Sequence, residues 1–105
     1  MADTWLLVAS RAPGPTTRSL WDDATALAAV GADVTVVATD DAVVDVLDAT
    51  DPAGAARAAG VRVRVDATAA RRRGVADLPA VAPLLVEDDE VARLLLEPTG
   101  RVVWR

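Results

Sequence analysis

The chain contains no cysteine, histidine, lysine, tyrosine or phenylalanine. Together these absences exclude a thiolate nucleophile, an imidazole base, a Schiff-base lysine and a disulfide. They also remove the usual zinc ligands. Any chemistry must come from Asp, Glu, Arg, Ser, Thr or backbone amides, and the residues call for no cofactor and assign no catalytic group. Aromatic side chains are confined to Trp5, Trp21 and Trp104. All eleven basic residues are arginine and the net charge is −5. That acidic balance argues against direct nucleic-acid binding, which needs surplus cations against phosphate. It argues equally against attachment to an anionic membrane surface. No apolar run approaches the ~20 residues of a membrane span. The opening stretch MADTWLLVAS is too acidic, and too short in its apolar part, for a signal peptide, so a cytoplasmic location is expected.

What is present is mostly Ala, Val and Leu. With 105 residues and 52% apolar content, the chain is long enough for one domain with one core. The high apolar fraction favours an oligomer, because a small monomer has little interior in which to hide it. Thr4 to Ala9 reads as a strand buried on both faces, and Ser10 to Thr16 as a Pro- and Gly-broken loop. Thr17 to Val30 has helical spacing, with Leu20, Trp21, Ala24, Leu27 and Ala28 on one face, and Gly31 stops it. Asp33 to Thr39 is a β-branched strand. Asp40 is expected to cap a helix over Asp41 to Ala49, with Val43, Val46 and Leu47 inward. Asp51-Pro52 is expected to start a short alanine-rich helix that ends at Gly60.

Val61 to Val65 alternates Val with Arg62 and Arg64, which implies a polar face, a sheet edge or a subunit contact. A short helix follows over Ala67 to Arg73, stopped by Gly74, and a linker over Val75 to Pro79. Pro83 demotes Val81 to Val86 to an edge strand or strand end. Asp88 to Glu97 is a helix with Val91, Leu94 and Leu95 inward, Pro98-Thr99-Gly100 a turn, and Arg101 to Trp104 a closing strand. The alternation predicts an α/β fold: a three-layer α/β/α sandwich with a five-stranded, mostly parallel sheet in a single domain over 1–105.

Ligands of such sheets gather beyond the C-terminal ends of the strands. Ser10, Thr16 and Thr17 there could cradle a phosphate before a helix N-terminus, although two prolines remove amides from that loop; the plain alternative is a connection. Asp40-Asp41 reads as a helix cap before it reads as a metal site. Glu87 to Glu90 reads as a solvated helix start before a cation site, so no metal is expected. Arg71, Arg72 and Arg73 complement the end of a short helix. Because adjacent residues point in different directions, they suit interface or single anion contacts better than one shared anion site. A crevice bounded by Ser10, Thr16, Thr17 and Asp40 is the alternative location for a small ligand or anion.

Three stretches carry a resemblance: Ala26 to Val37 followed by DDAVV, Ala59 to Val75, and the ending EVARLLLEPTGRVVWR. In order and spacing they resemble the DsrE-like family, which includes the DsrE, DsrF and DsrH proteins and the TusB, TusC and TusD sulfur-relay subunits; the ending is similar to that of DsrH and TusB. The resemblance implies a small α/β subunit of a sulfur relay, working toward tRNA thiolation or sulfur oxidation, assembled as a homo-oligomer or with a cysteine-bearing paralogue. Active members carry persulfide on a loop cysteine. Counted back from Arg72-Arg73-Gly74-Val75, that position is Asp66. A carboxylate cannot attack a sulfane sulfur and leave again, so the resemblance implies a non-carrier subunit. The residues alone read Asp66 as a helix N-cap.

Overall fold

A computed structural model describes residues 3–48, 52–96 and 100–105. The apolar runs become the strands β1 (Thr4–Ala9), β2 (Asp33–Ala38), β3 (Arg62–Asp66), β4 (Leu85–Val86) and β5 (Arg101–Trp104). They form one sheet in the order β4-β3-β2-β1-β5, and every pairing is parallel. The fifth strand therefore lies beside the first, and the sheet expected to be mostly parallel is wholly so.

Helices α1 (Pro15–Ala29), α2 (Ala53–Ala58), α3 (Ala67–Arg72) and α4 (Asp88–Leu96) occupy the connections. Pro15 occupies the first turn of α1, where its missing N–H costs nothing. Gly31, at φ 91°, turns the chain out of that helix as expected.

The segment after β2 departs from expectation. It is a 3-10 helix over Asp40–Val46, not an α-helix. The sequence DDAVVDV explains this: Asp and β-branched Val are poor α-formers, and their crowding disfavours a regular turn. The capping residue is Thr39, not Asp40. Asp40 is the first helical residue and sits at φ 49°, a left-handed conformation that Asp tolerates better than most residues. Val43 and Val46 are buried there as expected, but Leu47 is partly exposed. The Asp51 cap, Pro98 and Thr99 of the turn, and the expected helix ends at Ala49 and Glu97 lie outside the described residues. Pro83 sits in a short 3-10 turn (Ala82–Leu84), which leaves β4 only two residues at the sheet edge.

Alternation divides the sheet into unequal faces. Leu7 and Ala9, Val34, Val36 and Ala38, and Val63 and Val65 point to one side. There they form the main core with Leu20, Trp21 and Ala24 of α1, with Ala42, Val43 and Val46, with α2, and with Ala69 and Ala70 of α3. On the other side, among the described residues, Leu6, Val8 and Val37 meet only Leu94 and Leu95 of α4, a helix without one buried residue. Arg62 and Arg64 lie on this thinly covered side, so the striped strand has the polar face its sequence implied. Beyond α4, Val102 and Trp104 of β5 are 50% and 59% exposed.

Candidate functional site

The C-terminal ends of β1, β2 and β3 lie side by side, because the registers align Ala9 with Ala38 and Ala38 with Val65. The centre of this rim is Asp66. Its Oδ1 accepts from the backbone N–H of Thr68 at 3.0 Å, and its Oδ2 accepts from the Thr39 hydroxyl at 2.7 Å. Asp66 is therefore the N-cap of α3 and the tie between β3 and the end of β2. The Thr39 hydroxyl donates to Asp66, and the 3-10 helix that begins at Asp40 has no side-chain cap.

Around Asp66 the short helix α3 is held on both flanks. The Thr68 hydroxyl donates to Asp88 Oδ1 at 2.9 Å. Arg71 pairs with Glu87 through its two terminal guanidinium nitrogens, Nη1 and Nη2, and Arg73 pairs with Asp41. The hydrogen bonds to Arg71, reinforced by its charge, hold the Glu87 carboxyl below its ordinary range and raise Arg71 in return. The three arginines thus diverge: one reaches the start of α4 and one the 3-10 helix. Arg72 is exposed and has no ion pair among the described residues. The acidic run is partitioned too, with Glu87 on Arg71, Asp88 on Thr68 and Glu90 on Arg93. Among the described residues no group of three or more acidic side chains is arranged to hold a metal ion.

Two hydroxyls of the loop after β1 are already engaged, one within the loop and one with the end of the chain. Thr17 is buried, and its Oγ1 donates to the Ala12 carbonyl at 2.8 Å. Ser10 Oγ donates to the Arg105 carbonyl at 3.0 Å and accepts from Trp104 Nε1 at 3.2 Å. Thr16 and Asp40 are exposed. A groove of about 520 Å³ runs along α1, β1 and β5, lined by Trp5, Leu7, Leu27, Val30, Val103 and Arg105 among others. Another, of about 230 Å³, opens on the thinly covered face beside Leu94 and Val102. Neither is lined by Ser10, Thr16, Thr17, Asp40 or Asp66.

Sequence reasoning missed two residues. Thr39, read only as a strand end, is the partner of Asp66. Asp45, in the middle of VVDV, is buried at 8% exposure and accepts from Trp21 Nε1 at 3.0 Å. Burial raises the Asp45 carboxyl above its ordinary range, against the lowering effect of the Trp21 hydrogen bond. A carboxylate flanked by two valines was the available signal for burial; its partner lies 24 residues away and left no local trace.

No protein-family model matches the sequence, and no curated protein matches it. Among solved structures, the chain is similar to the crystal structure of the ychN protein from E. coli, with a TM-score of 0.82 and 22% sequence identity over 100% of both chains. No helix among the described residues is long and apolar enough to cross a membrane. The full-length likeness establishes the architecture: this chain, without a cysteine, has a DsrE-like fold.

Proposed function

We propose that this chain is a non-carrier subunit of a DsrE-like assembly, which acts by holding partner chains rather than by carrying sulfur. The observation that carries this reading is Asp66. At the position where the resemblance puts a persulfide cysteine, both carboxylate oxygens are engaged in structural hydrogen bonds. A group used in this way fixes the loop and the helix behind it. It offers no nucleophile, and no cysteine elsewhere in the chain replaces it.

The partner is a second copy of the chain or a cysteine-bearing paralogue in a sulfur relay. Support comes from the uneven sheet, which leaves Val102, Trp104 and Leu96 at 50%, 59% and 80% exposure in a chain of only 105 residues. Native mass spectrometry at micromolar concentration tests the reading, with the chain alone and mixed with a cysteine-bearing DsrE-like protein. The expected result is a discrete oligomer in at least one of the two samples. A monomer in both would overturn the proposal.

A further inference from the structure

The two edges of the sheet are treated differently. The β4 edge is two residues long, follows Pro83 and runs directly into α4. Short edge strands and proline are ordinary devices against edge-to-edge pairing. The β5 edge has neither. Its strand RVVW contains no proline, its exposed residues are Arg101 together with the apolar Val102 and Trp104, and among the described residues it pairs only with β1.

The hydrogen bonds fix which backbone groups of β5 are unused. Arg105 N–H donates to the Val8 carbonyl, and the Arg105 carbonyl accepts from Ser10 N–H. Alternation along a strand then turns the N–H and C=O of Val103 and Arg101 toward β1, and those of Val102 and Trp104 outward. The outward pair is self-complementary. In an antiparallel arrangement with a two-fold axis at Val103, Val102 faces Trp104 of the second copy and Trp104 faces its Val102. Each such pair exchanges both backbone hydrogen bonds. Their side chains meet on the same face as an aromatic and β-branched cross-strand pair, a favourable combination. Arg101 falls opposite the copy's Arg105, and Arg105 already carries its own counter-ion, Asp23, at 2.8 Å. On the opposite face Val103 meets itself, and the grooves lined by Trp5, Leu7, Leu27 and Val103 in each copy become continuous.

We infer that β5 is a self-association edge, on which a second copy of this chain adds antiparallel to give one sheet across a two-fold axis. This rests on the assembly reading above and names its surface. A closed two-fold uses the same patch on both subunits and ends there, without propagating into a fibre.

The missing cysteines make the test direct. In the proposed register the Val103 positions form a non-hydrogen-bonded pair about 4.5 Å apart at Cα, within the span a disulfide can bridge. The variant Val103→Cys, made in the otherwise cysteine-free chain, should oxidise rapidly to a covalent dimer. Val44→Cys, 44% exposed on the 3-10 helix, serves as the control for random collision. A second variant, Val102→Pro, deletes only an outward-facing N–H, so the β1–β5 ladder stays intact and circular dichroism should remain unchanged. Sedimentation should show its self-association weakened by roughly tenfold or more. Rapid cross-linking of Val103→Cys together with weakened Val102→Pro supports the inference. An oligomer that persists in Val102→Pro, or cross-linking no faster than in Val44→Cys, overturns this surface and leaves the assembly reading standing. A wild-type chain that is monomeric alone and with a cysteine-bearing partner overturns both.

Discussion

Replacing Asp45 separates two contributions that the structure combines in one buried contact. Asp45 is 8% exposed, and its Oδ2 accepts from the indole N–H of Trp21, which is 1% exposed. This bond joins α1 to the 3-10 helix. Asp45→Ala removes the acceptor and leaves a buried N–H unpaired, which costs roughly 1–3 kcal/mol. A central value of about 2 kcal/mol corresponds to a fall in Tm of roughly 8–16 °C for a domain of this size. Asp45→Asn keeps an oxygen acceptor and removes the buried charge. Its loss should stay below about 1 kcal/mol at neutral pH, because the lost charge assistance is offset by relief of desolvation. The pH dependence has a definite sign. Burial raises the folded-state carboxyl above its unfolded value, so the folded chain binds the extra proton first on acidification. The contribution of this group to stability is greatest below the unfolded value and is lost as the pH rises through the raised folded value. Urea unfolding followed by circular dichroism, at neutral pH and across the acidic window, measures all of this. Wild type should lose less stability than Asp45→Asn on acidification. Asp45→Asn as damaging as Asp45→Ala at neutral pH would refute the reasoning, since the charge rather than the acceptor would then dominate.

Other substitutions probe the rim and the sheet edge. Asp66→Ala removes a helix cap and the Thr39 bond together and should cost about 1–2 kcal/mol in urea unfolding. Asp66→Asn, which can keep the cap, should cost less. Gly100 sits at φ 113°, and an added Cβ would lie 2.1 Å from the Thr4 carbonyl oxygen. Gly100→Ala should therefore displace β5 from β1 and cost more than about 2 kcal/mol by thermal unfolding, well beyond the backbone term alone. Arg73→Ala breaks an exposed ion pair with Asp41 and should cost less than about 1 kcal/mol, with the small effect reduced further by added salt.

The parts of this fold legible in the sequence are those set by local pattern. TWLLVA and DVTVVA are apolar or β-branched runs bounded by loop residues, and both are strands. Pro83 marked a sheet edge because a missing N–H acts wherever it is placed. Asp66 was legible as a cap because Asp before ATAARR is a local signal. The 3-10 geometry of DDAVVDV was not, although its β-branched content was visible, because helical spacing of Val43 and Val46 suits either helix type. The links of Asp45 to Trp21 and of Asp66 to Thr39 depend on which elements pack together, and pairs 24 and 27 residues apart leave no spacing to read. The open β5 edge depends likewise on strand order and on how α4 covers the sheet. Neither is a property of RVVW itself.

The central claim has two halves: Asp66 is structural, and the chain works by assembling. Sedimentation velocity of wild type and Asp66→Ala across a dilution series in the micromolar range, below the melting temperature of the variant, tests them together. Wild type should sediment as a discrete species larger than the 10.9 kDa chain, and Asp66→Ala should match it despite a lower melting temperature. A wild-type chain that sediments as a 10.9 kDa monomer at every concentration would contradict the account for self-assembly. An unchanged melting temperature in Asp66→Ala would contradict the structural role of Asp66.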